Sequence, residues 1–371
     1  MKRAIVSVTN DLTTDQRVHR TCMALISCGY EVTLVGRRRP GSLPLAKREY
    51  GMFRMRLFFD KGPWFYAEYN IRLFFLLLFR EATLIFTNDA DTLPAGFLAA
   101  RLRGLPHVHD CHEYFRGVPE LVGRAGVTRI WKWIEDRIIP KLQHIMAVNE
   151  SVATLYRNEY QAPVHVMRNV PFRKEKTGSA GDRGYGIPGG KPVILYQGAV
   201  NVGRGLEEVI RSMHHLRTDA VLVIAGTGDI LNDLQTLVRQ EDLEKKVVFT
   251  GQIPFQELHG LTCIAEIGLS VEKETGINYQ NCLPNKFLDY IQARVPVLVT
   301  PFPEMKQIVE KYDIGEFIYD HHPEHLAERI DYMLKDAEAL ARYRRNLEKA
   351  AADLCWENES SVLTDLIEQI R

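Results

Sequence analysis

Short apolar runs alternate with amphipathic stretches along most of the chain. Ala4 to Val8 reads as a buried strand, the polar turn TNDLTTDQ follows, and Val18, Cys22, Leu25 and Ile26 then recur at helical spacing up to Gly29. The same reading predicts strands at Glu31 to Gly36, Thr83 to Thr87, His107 to Asp110, His144 to Val148 and Val164 to Met167. Helices are predicted from about Thr92 to Arg103, around Thr128 to Ile139 and from Ser151. Such alternation argues for a parallel sheet with helices on both faces.

Residues 171–191, PFRKEKTGSAGDRGYGIPGGK, interrupt the rhythm with six glycines, two prolines and no apolar period, as expected of an interdomain linker. A second series follows, with strands at Pro192 to Tyr196, Ala220 to Ala225, Val247 to Thr250, Ala265 to Ser270 and Val295 to Thr300. Helices are expected at Gly205 to His215, from Ile230, near Phe255, at Asn285 to Ala293 and finally at Glu359 to Ile370. The expected fold class is α/β, two Rossmann-like parallel-sheet domains facing across a cleft. The expected boundaries are 1–172 and 173–356, with a final helix, about 357–371, packing back on the first domain. Ligands of such folds bind at the carboxyl ends of the strands.

Charge adds an asymmetry. Residues 1–170 hold 24 Lys and Arg against 16 Asp and Glu, or +8, and residues 171–371 hold 23 against 31, or −8, so the two halves are differently employed within a neutral chain. Six scattered cysteines without a CxxC pair indicate neither a zinc site nor a disulfide framework, and a reducing cytosol is expected. The N-terminus lacks the features of a signal peptide. The longest apolar run, Leu73 to Phe79, is far short of the roughly 20 residues that span a bilayer.

Candidate chemistry gathers in the turns. Gly198, Gly203 and Gly205 lie between a strand and a helix, where backbone amides and a helix N-terminus can approach an anion and Arg204 can add a bidentate phosphate contact; an ordinary glycine-rich turn would look the same. Gly226, in Ala225-Gly-Thr-Gly, supplies a second tight turn at the same sheet edge. Pro284 is placed to start a helix whose first turn carries Asn285 and Lys286, with Asp289 one turn on, where a carboxylate can accept two sugar hydroxyls. A lysine in a first turn opposes the helix dipole, which suggests that it meets an anion. Asp89-Ala-Asp91 imitates a metal-binding Asp-x-Asp, but Asp91 precedes Thr92 at a predicted helix start, so helix capping is expected and no metal.

These motifs resemble those of the GT-B glycosyltransferases of family 4, over essentially the whole chain. The resemblance implies that Arg204, in the loop after Gly198, takes the part of the family's diphosphate-binding lysine, while Ala199 stands where the family has an arginine. Asp289 matches the second glutamate of the family's Glu-x7-Glu element, which holds the ribose. Eight residues earlier stands Asn281 in place of the first glutamate, so Glu272 or Glu274 is expected to contact the donor sugar. Asp110-Cys-His-Glu-Tyr matches the family's Asp-x-His-Glu pattern: His112 would sit beside the transferred sugar, with Glu113 next to it and Asp110 orienting the imidazole. Asn10, Asp11 and Arg17 resemble the family's N-terminal loop, which closes over donor phosphate and acceptor.

The function implied is retaining transfer of a sugar from a nucleoside diphosphate sugar to a hydroxyl acceptor, in bacterial surface-glycan or lipid-linked glycan assembly, without cofactor, metal or nucleic acid. Basic and aromatic residues interleaved from Arg37 to Phe65 suit peripheral contact with an anionic membrane from the cytoplasmic side. The alternatives are a sugar-nucleotide epimerase of the same fold and a non-catalytic nucleotide-sugar-binding subunit. A dehydrogenase is disfavoured, because the first strand-to-helix turn, Ser7 to Gln16, contains no glycine.

Overall fold

A computed structural model describes residues 2–370 apart from 11, 14, 40, 43, 119–123 and 176–184. The chain forms two compact units, one of Met1–Asn169 with Glu359–Arg371 and one of Val170–Asn358. Residues 176–184 of the expected linker lie outside the described residues, as does Asp11.

The first unit runs β1 (Lys2–Ser7), α1 (Gln16–Ser27), β2 (Tyr30–Arg37), β3 (Gly51–Met55), α2 (Pro63–Phe79), β4 (Leu84–Asn88), α3 (Leu93–Arg103), β5 (His107–Cys111), α4 (Ala125–Ile138), β6 (His144–Ala147), α5 (Glu150–Tyr160) and β7 (Val164–Val166). Its sheet is parallel throughout, in the order β3-β2-β1-β4-β5-β6-β7. The order reverses beside β1, so the turns after β1 and β4 open where ligands of such sheets bind. Local chemistry starts the helices: Asp15 accepts the Val18 N–H at 3.0 Å to cap α1, and Asn149 accepts that of Val152 at 2.8 Å to cap α5.

Two elements have no counterpart in the periodicity. Strand β3 is an edge strand in which Phe53 is exposed while Arg54 is half-buried, so its residue types do not follow its alternating burial. Helix α2 turns Phe65, Tyr69, Leu73 and Leu77 to the core and Ile71, Phe75 and Phe79 to the surface, so apolar residues surround it and no period can emerge. The cap expected of Asp91 is also absent. Helix α3 begins after Thr92, and its Ala95 N–H donates instead to the Asn70 side-chain oxygen of α2 at 3.1 Å. A residue 25 positions upstream has taken the capping role.

The second unit continues with β8 (Val193–Gln197), α6 (Leu206–His215), β9 (Val221–Ala225), α7 (Leu231–Gln240), β10 (Val247–Gly251), α8 (Phe255–Cys263), β11 (Ile267–Ser270), the single turn α9 (Ile277–Gln280), α10 (Asn285–Gln292), β12 (Val297–Val299), α11 (Pro303–Tyr312), β13 (Gly315–Phe317), α12 (Pro323–Lys335), α13 (Ala337–Asp353) and α14 (Trp356–Gln369). The sheet is parallel, ordered β10-β9-β8-β11-β12-β13. On β8, Val193 and Leu195 enter the core beneath α10, while Ile194 and Tyr196 enter the opposite core beneath α6. Burial on both faces explains the continuous apolar runs of these strands.

The last helix carries the chain back to the first unit at Glu359. The Glu359 carboxylate, 5% exposed, accepts the Arg168 backbone N–H at 2.6 Å and its guanidinium at 2.7 and 3.0 Å. Because Arg168 is about one-third exposed, water screens part of this pair. Glu359→Ala should destabilise the first unit by about 1–3 kcal/mol, as losing a partner of a hydrogen-bonded ion does, read as a lower midpoint in urea unfolding. An unchanged midpoint would show that the apolar face of the helix holds it alone.

Candidate functional site

Each sheet ends, on its carboxyl edge, in a buried carboxylate held by two cations. In the first unit that carboxylate is Asp110, on β5. Arg17, from the first turn of α1, donates to both its oxygens at 2.9 and 2.7 Å and to the Met167 carbonyl at 2.7 Å. His112, one residue beyond β5, brings Nε2 to 3.3 Å from Asp110 and 3.0 Å from the Asn88 side-chain oxygen. Asp89, at the end of β4, accepts the His112 backbone N–H at 2.9 Å and lies 3.4 Å from Nδ1. Asp89 reaches this position in the left-handed region, φ 58°, which aspartate tolerates better than most residues.

The electrostatics follow from this packing. Burial opposes a charge on His112, but Asp89 and Asp110 outweigh it and raise the imidazole to about 9. Burial likewise opposes ionisation of Asp110, yet Arg17 and His112 hold its carboxyl well below the usual carboxylate range. Neighbouring Asp91 has no such company. Its carboxylate accepts the Thr9 hydroxyl, its other oxygen has no hydrogen-bond partner among the described residues, and burial together with Asp89 raises it to about 7.

In the second unit the carboxylate is Glu272, just beyond β11 and fully buried. Lys286, in the first turn of α10, places Nζ 2.6 Å from Glu272 Oε1, and Arg204, before α6, approaches the same oxygen at 3.4 Å. The Ser270 hydroxyl donates to the other oxygen at 2.9 Å. Burial would push Glu272 upward, but Lys286 and then Arg204 hold it below the usual carboxylate range. Aromatic faces complete the cage: Lys286 lies 4.0 Å from the Tyr196 ring centroid and Arg204 5.0 Å from that of Tyr279. The anion that a first-turn lysine suggests is therefore present within the protein.

The turns need their glycines. A Cβ on Gly226 would stand 1.9 Å from the Gly198 carbonyl oxygen, and one on Gly205, at φ 73°, would stand 2.4 Å from that of Val271. Asp289, one turn beyond Asn285 on α10, accepts from Gln197 Nε2 at 3.2 Å, and Gln197 in turn accepts the Thr262 hydroxyl at 2.8 Å. Asn285 is exposed at the start of the helix.

Two family models match the chain: glycosyltransferase family 4 over residues 15–170, and glycosyl transferases group 1 over residues 181–351. The chain belongs to this glycosyltransferase family. An uncharacterised glycosyltransferase of Methanocaldococcus jannaschii is 30% identical over 158 residues, 42% of this chain and 38% of the relative. The alpha-D-kanosaminyltransferase of Streptomyces kanamyceticus is 21% identical over 266 residues, 67% of each chain. The matched part of the chain thus spans between about four-tenths and two-thirds of the length of these two relatives. Among solved structures, sucrose-phosphate synthase from Thermosynechococcus elongatus superposes with a TM-score of 0.79 at 17% identity, covering 100% of this chain and 98% of that one. Anabaena HepE in complex with UDP-glucose superposes with a TM-score of 0.78 at 12% identity, covering 100% of both. These likenesses show the two-domain Rossmann-like GT-B fold.

Against the folded structure the expected residues divide. The second unit gathers Arg204, Glu272 and Lys286 into one cluster, and Asp289 is fixed by Gln197. Glu274 is exposed and bonded to the Gln280 side chain, and Asn281 donates to the Ile277 carbonyl at 2.7 Å on α9. In the first unit Asp110 and His112 are joined, while the Glu113 side chain is exposed. Arg17 lies on neither an open loop nor a helix surface: it is 3% exposed, and its donors are committed to Asp110 and Met167. Asn10 is exposed and donates to Asp15 at 3.4 Å. Sequence reasoning missed Asn88, Gln197 and the part of Asp89 in holding His112. The available signal was position, since both Asn88 and Gln197 close a buried strand with a polar residue.

Asp91 yields a prediction whose sign is fixed. A carboxyl raised to about 7 in the folded chain, against about 3.9 unfolded, adds stability below the unfolded value and loses it as pH rises through 7. Asp91→Asn keeps an acceptor for Thr9 and cannot ionise. It should raise Tm at pH 8 by a few degrees, on the order of 1–3 kcal/mol, and by about a third as much at pH 5, by differential scanning fluorimetry. A loss of stability at both pH values would mean that Asp91 is ionised and paired.

Proposed function

We propose that the protein is a retaining glycosyltransferase that moves a sugar from a nucleoside diphosphate sugar to a hydroxyl acceptor, with a lipid-linked glycan of surface-polysaccharide assembly as the acceptor class. The observation that carries this reading is the pairing of Lys286 and Arg204 on a single buried carboxylate beside the glycine turns before α6. Two cations against one anion leave a net positive charge fixed at the sheet edge. A departing diphosphate gains charge as the anomeric bond breaks, and donors already held in place stabilise that charge without reorganising. The Anabaena protein solved with UDP-glucose supports a nucleotide-sugar donor through the shared fold.

The remaining roles follow from the chemistry of the side chains. Asp289 accepts hydroxyls of the donor ribose, its carboxylate set by the Thr262 to Gln197 hydrogen-bond chain. His112, charged at neutral pH, acts on the transferred sugar. Retention comes from attack on the face the diphosphate leaves, so no protein nucleophile is needed and the departing phosphate oxygen receives the acceptor proton. The fixed cations serve where a divalent metal otherwise would.

Four measurements test this reading. Arg204→Ala should lower kcat/KM with the cognate nucleotide sugar about 10²–10³-fold, the usual cost of one preorganised donor to a developing anion. Parental kinetics would remove Arg204 from the phosphate site. His112→Ala should reduce kcat far more than it weakens the bare nucleoside diphosphate in calorimetry, and the wild-type rate should fall only as pH rises past about 9, where the imidazolium is lost. Asp89→Asn should move that limb to lower pH, because it removes a charge that holds the proton. Turnover should persist in excess chelator; complete loss, restored by magnesium or manganese, would overturn the metal-independent mechanism.

A further inference from the structure

A cavity of about 640 Å³ opens at the amino edge of the first sheet, the edge opposite Asp110 and His112, and every residue that lines it belongs to the first unit. It is lined by the first residues of two strands, His107 of β5 and His144 of β6, by Arg101 from the last turn of α3, by Lys141 and Gln143 from the segment before β6, and by Gln369 at the end of α14. Phe97 and Leu142 add apolar surface. Its volume falls in the range of small-molecule pockets.

The polar groups of this cavity are uncommitted. Arg101, Lys141 and Gln143 are exposed and have no hydrogen-bond or ion-pair partner among the described residues. Arg103, two positions beyond Arg101, shows the other use of a cation at a helix end: it donates to the carbonyls of Leu77, Arg80 and Ala82 where α2 stops. Among the described residues no acidic side chain lines the cavity, and Asp365 and Glu368 of α14 are not among its walls. His107 is the buried member, 9% exposed, with Nε2 2.8 Å from Thr87 Oγ1 and Nδ1 left without a partner among the described residues. Burial holds the ring down to about 3, so it is neutral, and when the Thr87 hydroxyl donates to Nε2 the ring proton sits on Nδ1 as an unused donor. Buried polar atoms in folded proteins are nearly always paired, so an unpaired one on a residue that lines a cavity points to a ligand.

We propose that this cavity binds the phosphomonoester of a small polyhydroxylated molecule, with Arg101 and Lys141 on the phosphate and Gln143 and Gln369 on the hydroxyls. The charges match, because a phosphomonoester carries close to two negative charges at neutral pH and meets two unpaired cations. The cavity is larger than a bare phosphate fills, and side-chain amides that both donate and accept suit hydroxyl groups. This site shares no residue with the donor site proposed above and stands whether or not that reading holds.

The test is calorimetric titration of the full chain, at two temperatures, with inorganic phosphate, ribose 5-phosphate and ribose. It is run on the wild type and on Arg204→Ala, in which the cluster of the second unit has lost a cation. In Arg204→Ala both phosphates should still bind, ribose 5-phosphate about tenfold more tightly than inorganic phosphate because its hydroxyls reach the amides, and ribose alone should not bind. Adding Arg101→Gln and Lys141→Gln should abolish binding of both phosphates with Tm unchanged, because these two side chains are exposed and unpaired. No binding of either phosphate, or binding that survives the added substitutions, would overturn the proposal. So would equal affinity for the two phosphates, the mark of an adventitious ion only. Binding seen in the wild type and lost in Arg204→Ala would assign the phosphate to the second unit and overturn it as well.

Discussion

A carboxylate taken out of water must keep company with positive charge or lose its own, and both sheet edges of this protein are organised by that constraint. The effective penalty for burying one ion is several kcal/mol even after relaxation, and only close, well-placed partners offset it. Glu272 meets the condition with Lys286 at 2.6 Å, Arg204 at 3.4 Å and the Ser270 hydroxyl. Lys286, 6% exposed, meets it too, since its ammonium could not be held so far from bulk water without the glutamate, while Arg204 remains about a quarter exposed. What would be two mobile side chains on separate elements becomes a single rigid charge cluster joining β11, the turn before α6 and the first turn of α10.

The first unit applies the same physics to a titrating group. Asp110 is neutralised by Arg17 through a two-toothed contact, which leaves the added influence of Asp89 to hold a proton on His112. Asp91, at the start of α3, is the contrasting case: it accepts a hydroxyl, no ion pair holds it among the described residues, and burial together with Asp89 raises it to about 7. Two buried aspartates of one unit, 19 residues apart in sequence, thus shift in opposite directions, and the difference lies in the cations that pair with Asp110.

How much of this could be read from sequence depends on the distance over which each interaction acts. Strand and helix alternation is local, so six of the seven strands of the first sheet, five of the six of the second and the glycine turns at Gly198, Gly205 and Gly226 were legible, as was α10 with Asn285, Lys286 and Asp289, whereas the edge strands β3 and β13 were not. Helix α2 was not, because apolar residues on all its sides erase the 3.6-residue period. Asp91 looked like a cap because its neighbours in sequence fit one, whereas the cap came from Asn70 on another helix. Arg17 and Asp110 are 93 residues apart, and Arg204 and Glu272 are 68 apart; nothing local marks either member as the partner of the other. Lys286 did carry a local signal, its conflict with the helix dipole, and that signal correctly required an anion without saying that the chain supplies one.

Glu272 is the shared counter-ion of Lys286 and Arg204, and Glu272→Gln tests whether it fixes them for the donor diphosphate proposed above. Calorimetry with a bare nucleoside diphosphate, paired with steady-state turnover of the nucleotide sugar, separates charge from placement. Removing the carboxylate raises the net charge of the cluster by one but releases the cations from their shared anchor. Diphosphate affinity should therefore be kept or raised while kcat falls by about 10²-fold, the scale of losing one preorganised donor. Loss of diphosphate affinity in step with kcat, or parental values of both, would contradict the account.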